Sequence, residues 1–418
     1  MTCLRRFIAL LAALALLAAP SARALSRDAL RASATASRVA LPQEPFLETP
    51  SPAAPYAAGE LDPALVEAAL ERVNFLRTVA GLPPVAEDAA LTGLAQHGAV
   101  LMAALQTVSH TPEQPGDMDD AFFAQAAKAA AGCSLASFNW FSPSLAADCV
   151  DWFARDDTAA NLAALAHRRW LLSPGMGLAG FGLALDKEGR SYAALYVTDA
   201  SAPVDYDFIR WPAEGAFPAE LMRAETPWSV SPDPALCNLA LSEPHVLLGE
   251  LTSGARWELA VSEGGAPDAA YCLVDTGRYG GGPALIFRPD LMDSAALEDG
   301  YEQNQVWRVT VTGLASPEGE ALPPLVYDVE MASLTPIDPA SVELSERALA
   351  LSVGESVEIA ATVYPRWADD LSYTLSVSDG TVAVVDKDGR LTGVGAGKCV
   401  LRAETVNGRF DEIDITVG

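Results

Sequence analysis

Positive charge is scarce in this sequence: 27 Lys+Arg stand against 55 Asp+Glu over 418 residues, a formal net charge of −28. A nucleic-acid binder needs a basic patch to displace counterions from phosphate, so that class is excluded. Binding to anionic lipid is disfavoured for the same reason. No apolar run long enough for a membrane span follows the first two dozen residues, so no transmembrane segment is expected in the mature chain. No CxxC pair exists, which argues against a zinc knuckle or a thioredoxin-like motif. There is no GxSxG elbow, no HExxH and no P-loop. Gly175-Met176-Gly177-Leu178-Ala179-Gly180 satisfies GxGxxG literally. A helical pattern precedes it and a strand pattern follows, the reverse of the order a dinucleotide site needs.

Residues 1–24 read as a secretory signal. Arg5 and Arg6 precede the apolar stretch Phe7–Ala19, and Ala22-Arg23-Ala24 fits cleavage after Ala24. A secreted protein, extracellular or associated with the cell surface, is therefore expected. Outside the cell disulfides persist. Cys133 with Cys149 and Cys237 with Cys272 are plausible local pairs, although spacing alone does not decide connectivity. Cys399 is left over in an apolar strand pattern and reads as a small buried hydrophobe.

Half the residues are hydrophobic, which favours folded modules. Residues 25–59, rich in Ala, Pro and Ser, read as a flexible leader. Residues 60–200 carry helical periodicity after Asp62-Pro63, with helices expected near 121–131, 144–156 and 158–172. A hairpin around Asp186-Lys187-Glu188-Gly189 then points to an α+β layer fold. Residues 201–334 hold short β-like runs between Gly and Pro clusters, the pattern of a β-sandwich-like accessory module. Residues 335–418 repeat that pattern, with Asp386-Lys387-Asp388-Gly389 as a tight turn rather than a calcium loop. The acidity is heaviest in 201–334, where 21 acids face 6 bases.

Two resemblances emerge from particular residues. Asn74-Phe75-Leu76-Arg77, Gly81-Leu82-Pro83-Pro84-Val85, Leu91–Gln96, Ser109-His110-Thr111 and Ala166-His167-Arg168-Arg169-Trp170-Leu171-Leu172-Ser173-Pro174 occur in that order before Gly180-Phe181-Gly182. Segment 60–200 thereby resembles the CAP superfamily of SCP/PR-1-like extracellular domains in its bacterial form. Val353-Gly354-Glu355-Ser356, Thr362-Val363-Tyr364-Pro365, Ser378-Asp379 and Gly389–Val394 make the last segment resemble the bacterial Ig-like group 2 domain, with Leu375 where a Trp is usual.

The first resemblance implies an α-β-α sandwich with a cleft in which two histidines and two glutamates face one another, sometimes around a metal. His110 and His167 match the histidines. The usual Gly-Glu-Asn element is missing; Ser137-Phe138-Asn139 is the expected counterpart, and Asp156 or Asp157 is the candidate for the second acid. No cofactor is assured on this pattern. A divalent metal, zinc or calcium, would bind only weakly, with His110 and His167 as the sole candidate ligands. The expected ligand-binding set is His110, His167, Arg168 and Asn139, with Arg168 and Arg169 offering positive charge at the cleft rim. No catalytic residue is assigned.

The resulting reading is a binding protein that takes a small molecule, a lipid or a cell-wall fragment in the cleft and carries Ig-like display modules toward a cell-surface or host partner. The alternatives are a metal- or histidine-dependent hydrolase of peptide or wall material, and a purely structural surface protein.

Overall fold

The helical spacing that begins at Asp62 gives way to alternation after Pro174, and the backbone follows the same change. The computed structural model describes residues 24–262, 270–291 and 301–418. The expected signal segment, Cys3 included, lies outside the described residues except for Ala24.

In chain order the first part contains α1 (Arg27–Ala36), β1 (Phe46–Glu48), β2 (Glu60–Leu61), α2 (Pro63–Val79), β3 (Ala86–Glu87), α3 (Ala89–Leu105) and α4 (Asp120–Gly132). It continues with β4 (Cys133–Phe138), α5 (Leu145–Arg155), α6 (Ala166–Leu171), β5 (Leu178–Leu185) and β6 (Ser191–Tyr196). Local chemistry explains the boundaries. Asp62 accepts from Ala64 N–H at 2.9 Å with Pro63 in the first turn, and Asp119 accepts from Phe122 N–H at 2.9 Å. The helix expected over 158–172 shortens to α6, because Asp156 and Leu165 both adopt left-handed φ (52° and 48°) and break the helical run.

Strands β3-β5-β6-β4 form one sheet, parallel only between β3 and β5. Phe181, Leu183, Ala193 and Leu195 face α2 and α5, whereas Ala184, Tyr192 and Ala194 face α3 and α4. This is the α-β-α sandwich. Gly180 and Gly182 lie where α3 crosses β5: a Cβ on either would come within 2.2–2.3 Å of α3 backbone. The last glycine of the literal GxGxxG and Gly182 after it thus serve close helix–sheet packing, whereas Gly175 and Gly177 lie against Ala200–Ala202.

Motif residues in the first resemblance are mostly structural. Asn74 brackets Val85, donating to its carbonyl at 3.1 Å and accepting from its N–H at 2.7 Å. The buried Arg77 donates to the carbonyls of Pro83, Leu171, Ser173 and Met176, and burial lowers its pKa to about 10. Gln96 ties the Ala58 and Leu183 carbonyls together.

The middle part folds as two facing sheets, one of five strands and one of four. The five-stranded sheet includes Gly215–Pro218, His245–Glu250, Val306–Thr312 and Leu325–Ala332. The four-stranded sheet contains Phe208–Trp211, Trp228–Pro232, Tyr271–Asp275 and Ala284–Arg288. Trp211, Trp228, Trp307 and Phe287 fill it, with Trp228 Nε1 donating to Tyr301 Oη at 2.6 Å. Its core is continuous with the α2/α5 side of the first sandwich. The last part is an Ig-like sandwich with its own core, including the buried Cys399. Asp386 closes the expected turn by accepting from Asp388 and Arg390 N–H, and Gly389 has φ 83°.

Two expectations are corrected. Segment 25–59 is not without structure: α1 buries Leu30 and Ala34, and Arg27 and Arg31 anchor it. Arg27 pairs with Glu330 and, at 2.9 Å, with Asp369; Arg31 reaches Asp369 and the Ser333 carbonyl. The disulfides are also absent: Cys133, Cys149, Cys237, Cys272 and Cys399 are all free and buried. Each contributes as an apolar side chain. Cys133 and Cys149 lie in different cores, on opposite sides of the sheet.

Asp369 links α1 to the Ig-like part. Burial opposes its ionisation, but bonds from Ile337 N–H, Arg31 and Arg27 more than offset this and hold its pKa below the ordinary value. A carboxyl depressed in the folded state contributes stability above its unfolded pKa of about 3.9, and that contribution disappears as pH falls through the folded value. The Ig-like part should therefore loosen from α1 below about pH 4. Solution X-ray scattering should show a larger radius of gyration at pH 3 than at pH 6, and Asp369→Asn should show that increase at pH 6.

Candidate functional site

α6 brings His167 to the end of the sheet where β4 begins. The Asp156 carboxylate accepts from the backbone N–H groups of His167 (2.9 Å) and Arg168 (3.3 Å), satisfying donors at the start of α6. The same carboxylate lies 2.9 Å from His167 Nδ1. It can only accept and is the nearer partner, ahead of the Asn161 amide at 3.2 Å, so Nδ1 carries the hydrogen and Nε2 is left as an acceptor in the neutral ring. The ring packs on Phe153 at 5.1 Å and Trp152 at 5.6 Å. His110 is held in the same way: Nδ1 lies 2.7 Å from the Ala130 carbonyl, which again leaves Nε2 as an acceptor.

Both histidines line one cavity of about 200 Å³. Ala131, Ala166, Val197 and Trp170 give it apolar walls, while Cys133, Ser134, Thr198 and Tyr279 complete the lining. No charged side chain lines it among the described residues. Ser134 is only 2% exposed, and its hydroxyl has no hydrogen-bond partner. Burial pushes the Cys133 thiol far above its ordinary pKa, which keeps it protonated and unreactive.

Tyr279 comes from the middle part, on the loop between Tyr271–Asp275 and Ala284–Arg288. Gly280, with φ 51°, presses against α6 so closely that a Cβ would lie 1.9 Å from the Arg169 carbonyl oxygen. The Arg169 guanidinium holds this loop through Asp275 and the carbonyls of Gly277 and Gly282, and it stacks 4.9 Å from the Tyr279 ring. The cavity is therefore built by two parts of the chain.

Of the expected site residues, His110 and His167 come together and the other two lie elsewhere. Arg168 is 1% exposed and points away from the cleft. It donates to the carbonyls of Ala154, Arg155 and Pro227, and burial lowers its pKa to about 10. Arg169 is likewise buried, so neither arginine places charge at the rim. Asn139 is exposed beyond the far end of β4. The residues facing the histidines are Cys133-Ser134, directly after Gly132, rather than Ser137–Asn139. Asp156 supports His167 from behind, whereas Asp157 accepts from Thr226.

A metal does not fit this set. Among the described residues no group of three or more His, Cys, Asp or Glu is placed to hold an ion. Asp156 is turned to Nδ1, and the Cys133 thiol stays protonated. Two imidazoles fall short of the three protein ligands usual for zinc.

Among the cavity residues that sequence reasoning missed are Ser134, Thr198 and Tyr279. Tyr279 had one visible cue, a lone aromatic among Gly277, Gly280, Gly281 and Gly282.

No curated protein matches the sequence. Solved structures with partial likeness include intimin of EHEC O157:H7, as a mutant (15% identity, 18% of this chain and 45% of that one, TM-score 0.16). Others are domains 4 and 5 of the S-layer protein SbsC (12%, 28% and 68%, 0.18) and protocadherin gamma B7 cadherin domains 1–4 (13%, 37% and 39%, 0.18). The chain thus spans less than half of the intimin chain. Likenesses this partial carry nothing about activity. No helix among the described residues is long and apolar enough to cross a membrane. Family models match at two places, the cysteine-rich secretory protein family (CAP) over residues 70–198 and the bacterial Ig-like domain (group 2) over residues 339–406. The chain therefore carries a CAP domain followed by a C-terminal bacterial Ig-like domain, the domain types of an extracellular or surface protein.

Proposed function

We propose that this is a secreted binding protein whose CAP cleft takes a small neutral molecule bearing hydroxyl or amide N–H donors, while the Ig-like domain serves display. The observation that carries this reading is the pair of imidazoles. Each is held through Nδ1, so the two present acceptor nitrogens to one cavity. A ligand that donates hydrogen bonds and turns an apolar face to Trp170 and Val197 complements that lining. A cell-wall fragment such as an N-acetylated amino sugar has this chemistry. An anionic ligand is poorly served, since Arg168 and Arg169 are committed elsewhere.

Isothermal titration calorimetry with N-acetylglucosamine tests the reading. One saturable site is expected. Loss of a neutral hydrogen bond is worth about 0.5–1.5 kcal/mol, so His110→Ala should weaken binding by about 2–10-fold. Binding that is absent, or equal in wild type and His110→Ala, would sink it.

A further inference from the structure

Trp140 is 45% exposed, and it belongs to a contiguous aromatic patch of the kind that marks a ligand surface. Its ring centroid lies 5.8 Å from that of Phe138, Phe138 lies 6.0 Å from Trp152, and Trp152 lies 5.6 Å from His167. Phe138 and Trp152 are half-buried and packed against the core, which holds their rings in place. Ser191 Oγ donates to the Trp140 carbonyl at 2.7 Å and fixes the turn after β4. The result is a strip of four rings on β4 and its following turn, α5 and α6. It runs from solvent at Trp140 to the imidazole that lines the cavity. On α5, Asp148 is exposed one turn before Trp152 and shares its face.

We propose that this strip continues the binding site of the cleft and takes a neutral, linear oligosaccharide of N-acetylglucosamine, a chitin-type chain. The proposal rests on the cleft reading above and extends it from one sugar to a chain. One unit occupies the cavity, and the next three lie over Trp152, Phe138 and Trp140. The ring spacings of 5.6, 6.0 and 5.8 Å are close to the repeat of such a chain, so each unit meets one ring. The C–H face of a pyranose packs on an aromatic ring, while its hydroxyls stay in water or donate to the Asp148 carboxylate. That carboxylate also repels acidic sugars, and Arg168 and Arg169, both buried, offer no charge to offset it. An extended peptide is the rival occupant beside an edge strand. β4 is an edge of its sheet, but Cys133, Ser134, Leu135 and Ala136 are at most 4% exposed, so no backbone is open for a peptide to pair with.

The test is isothermal titration calorimetry of the full chain with N-acetylglucosamine and with its linear tetramer, chitotetraose. The tetramer should bind at least about 10-fold more tightly than the monomer. Trp140→Ala should bind the monomer as wild type does and lose at least about 3-fold in tetramer affinity. Trp140 is exposed, so the fold should survive this change, and an unaltered circular dichroism spectrum checks that it does. Fluorine NMR of the fluorotryptophan-labelled chain gives an independent readout: the tetramer should move the Trp140 and Trp152 signals, and the monomer should leave Trp140 in place. A wall-glycan tetrasaccharide bearing lactyl carboxylates should bind more weakly than chitotetraose, and tighter binding would overturn the neutral assignment. Equal affinity for monomer and tetramer, or tetramer binding unaltered by Trp140→Ala, would overturn the proposal and leave the cleft reading standing. Binding of neither sugar would overturn both.

Discussion

Arg168→Met should lower the free energy of unfolding by about 3–5 kcal/mol, since each buried acceptor left unpaired costs about 1–3 kcal/mol. The guanidinium satisfies the last carbonyls of α5, from Ala154 and Arg155, together with Pro227 of the neighbouring sandwich. Positive charge at a helix C-terminus is favourable in its own right. Methionine fills the space but leaves three buried acceptors unpaired. Arg168→Lys should recover little, because one ammonium cannot reproduce the planar fork that reaches all three. Burial lowers the arginine pKa only to about 10, so the charge is present at neutral pH and the variant loses it. Chemical denaturation with the two domains followed separately checks this. A rim arginine, by contrast, would change stability by less than about 0.5 kcal/mol.

The second large effect falls on binding. Gly280→Ala should push the Tyr279 loop off α6 and weaken N-acetylglucosamine binding by at least about 10-fold, equivalent to 1.4 kcal/mol. Two costs are combined in this variant. A left-handed backbone position disfavours a Cβ by about 1–2 kcal/mol. The new methyl would also meet the Arg169 carbonyl at 1.9 Å, and only retreat of the loop relieves that clash. Gly254→Ala separates the two costs: Gly254 has φ 78°, but nothing lies within 4 Å of its Cβ position. It should lose only the backbone cost, about 1–2 kcal/mol of stability, with unchanged binding.

Much of the fold was legible because it rests on local signals. Asp62-Pro63 opens α2, the 186–189 turn closes a hairpin, and alternation marks the strands of both sandwiches. The two histidines were legible because each sits in a compact motif. What escaped were properties of distant contacts. Arg168 and Arg169 looked like cleft charge because sequence does not reveal which carbonyls will surround a guanidinium. Asn139 was chosen for chemical likeness, whereas the cavity is reached at the opposite end of β4. The cysteines read as disulfides on compartment and count, but Cys133 and Cys149 flank the sheet on different sides. Segment 25–59 looked flexible from its composition, yet Leu30 is buried in the core and Arg27 and Arg31 find partners about 300 residues away in the chain. Tyr279 belongs to no local pattern, and only the meeting of α6 and the middle sandwich brings it to the cavity.

The central claim is a cavity in which two imidazoles, both carrying hydrogen on Nδ1, offer Nε2 to a ligand. Its most direct test is nitrogen-15 NMR of the histidine rings during titration with N-acetylglucosamine. The account predicts protonated Nδ1 and acceptor Nε2 in both His110 and His167, with both Nε2 signals moving together to saturation. Opposite tautomers, or ring signals that stay fixed while the sugar is raised to high millimolar concentration, would contradict it.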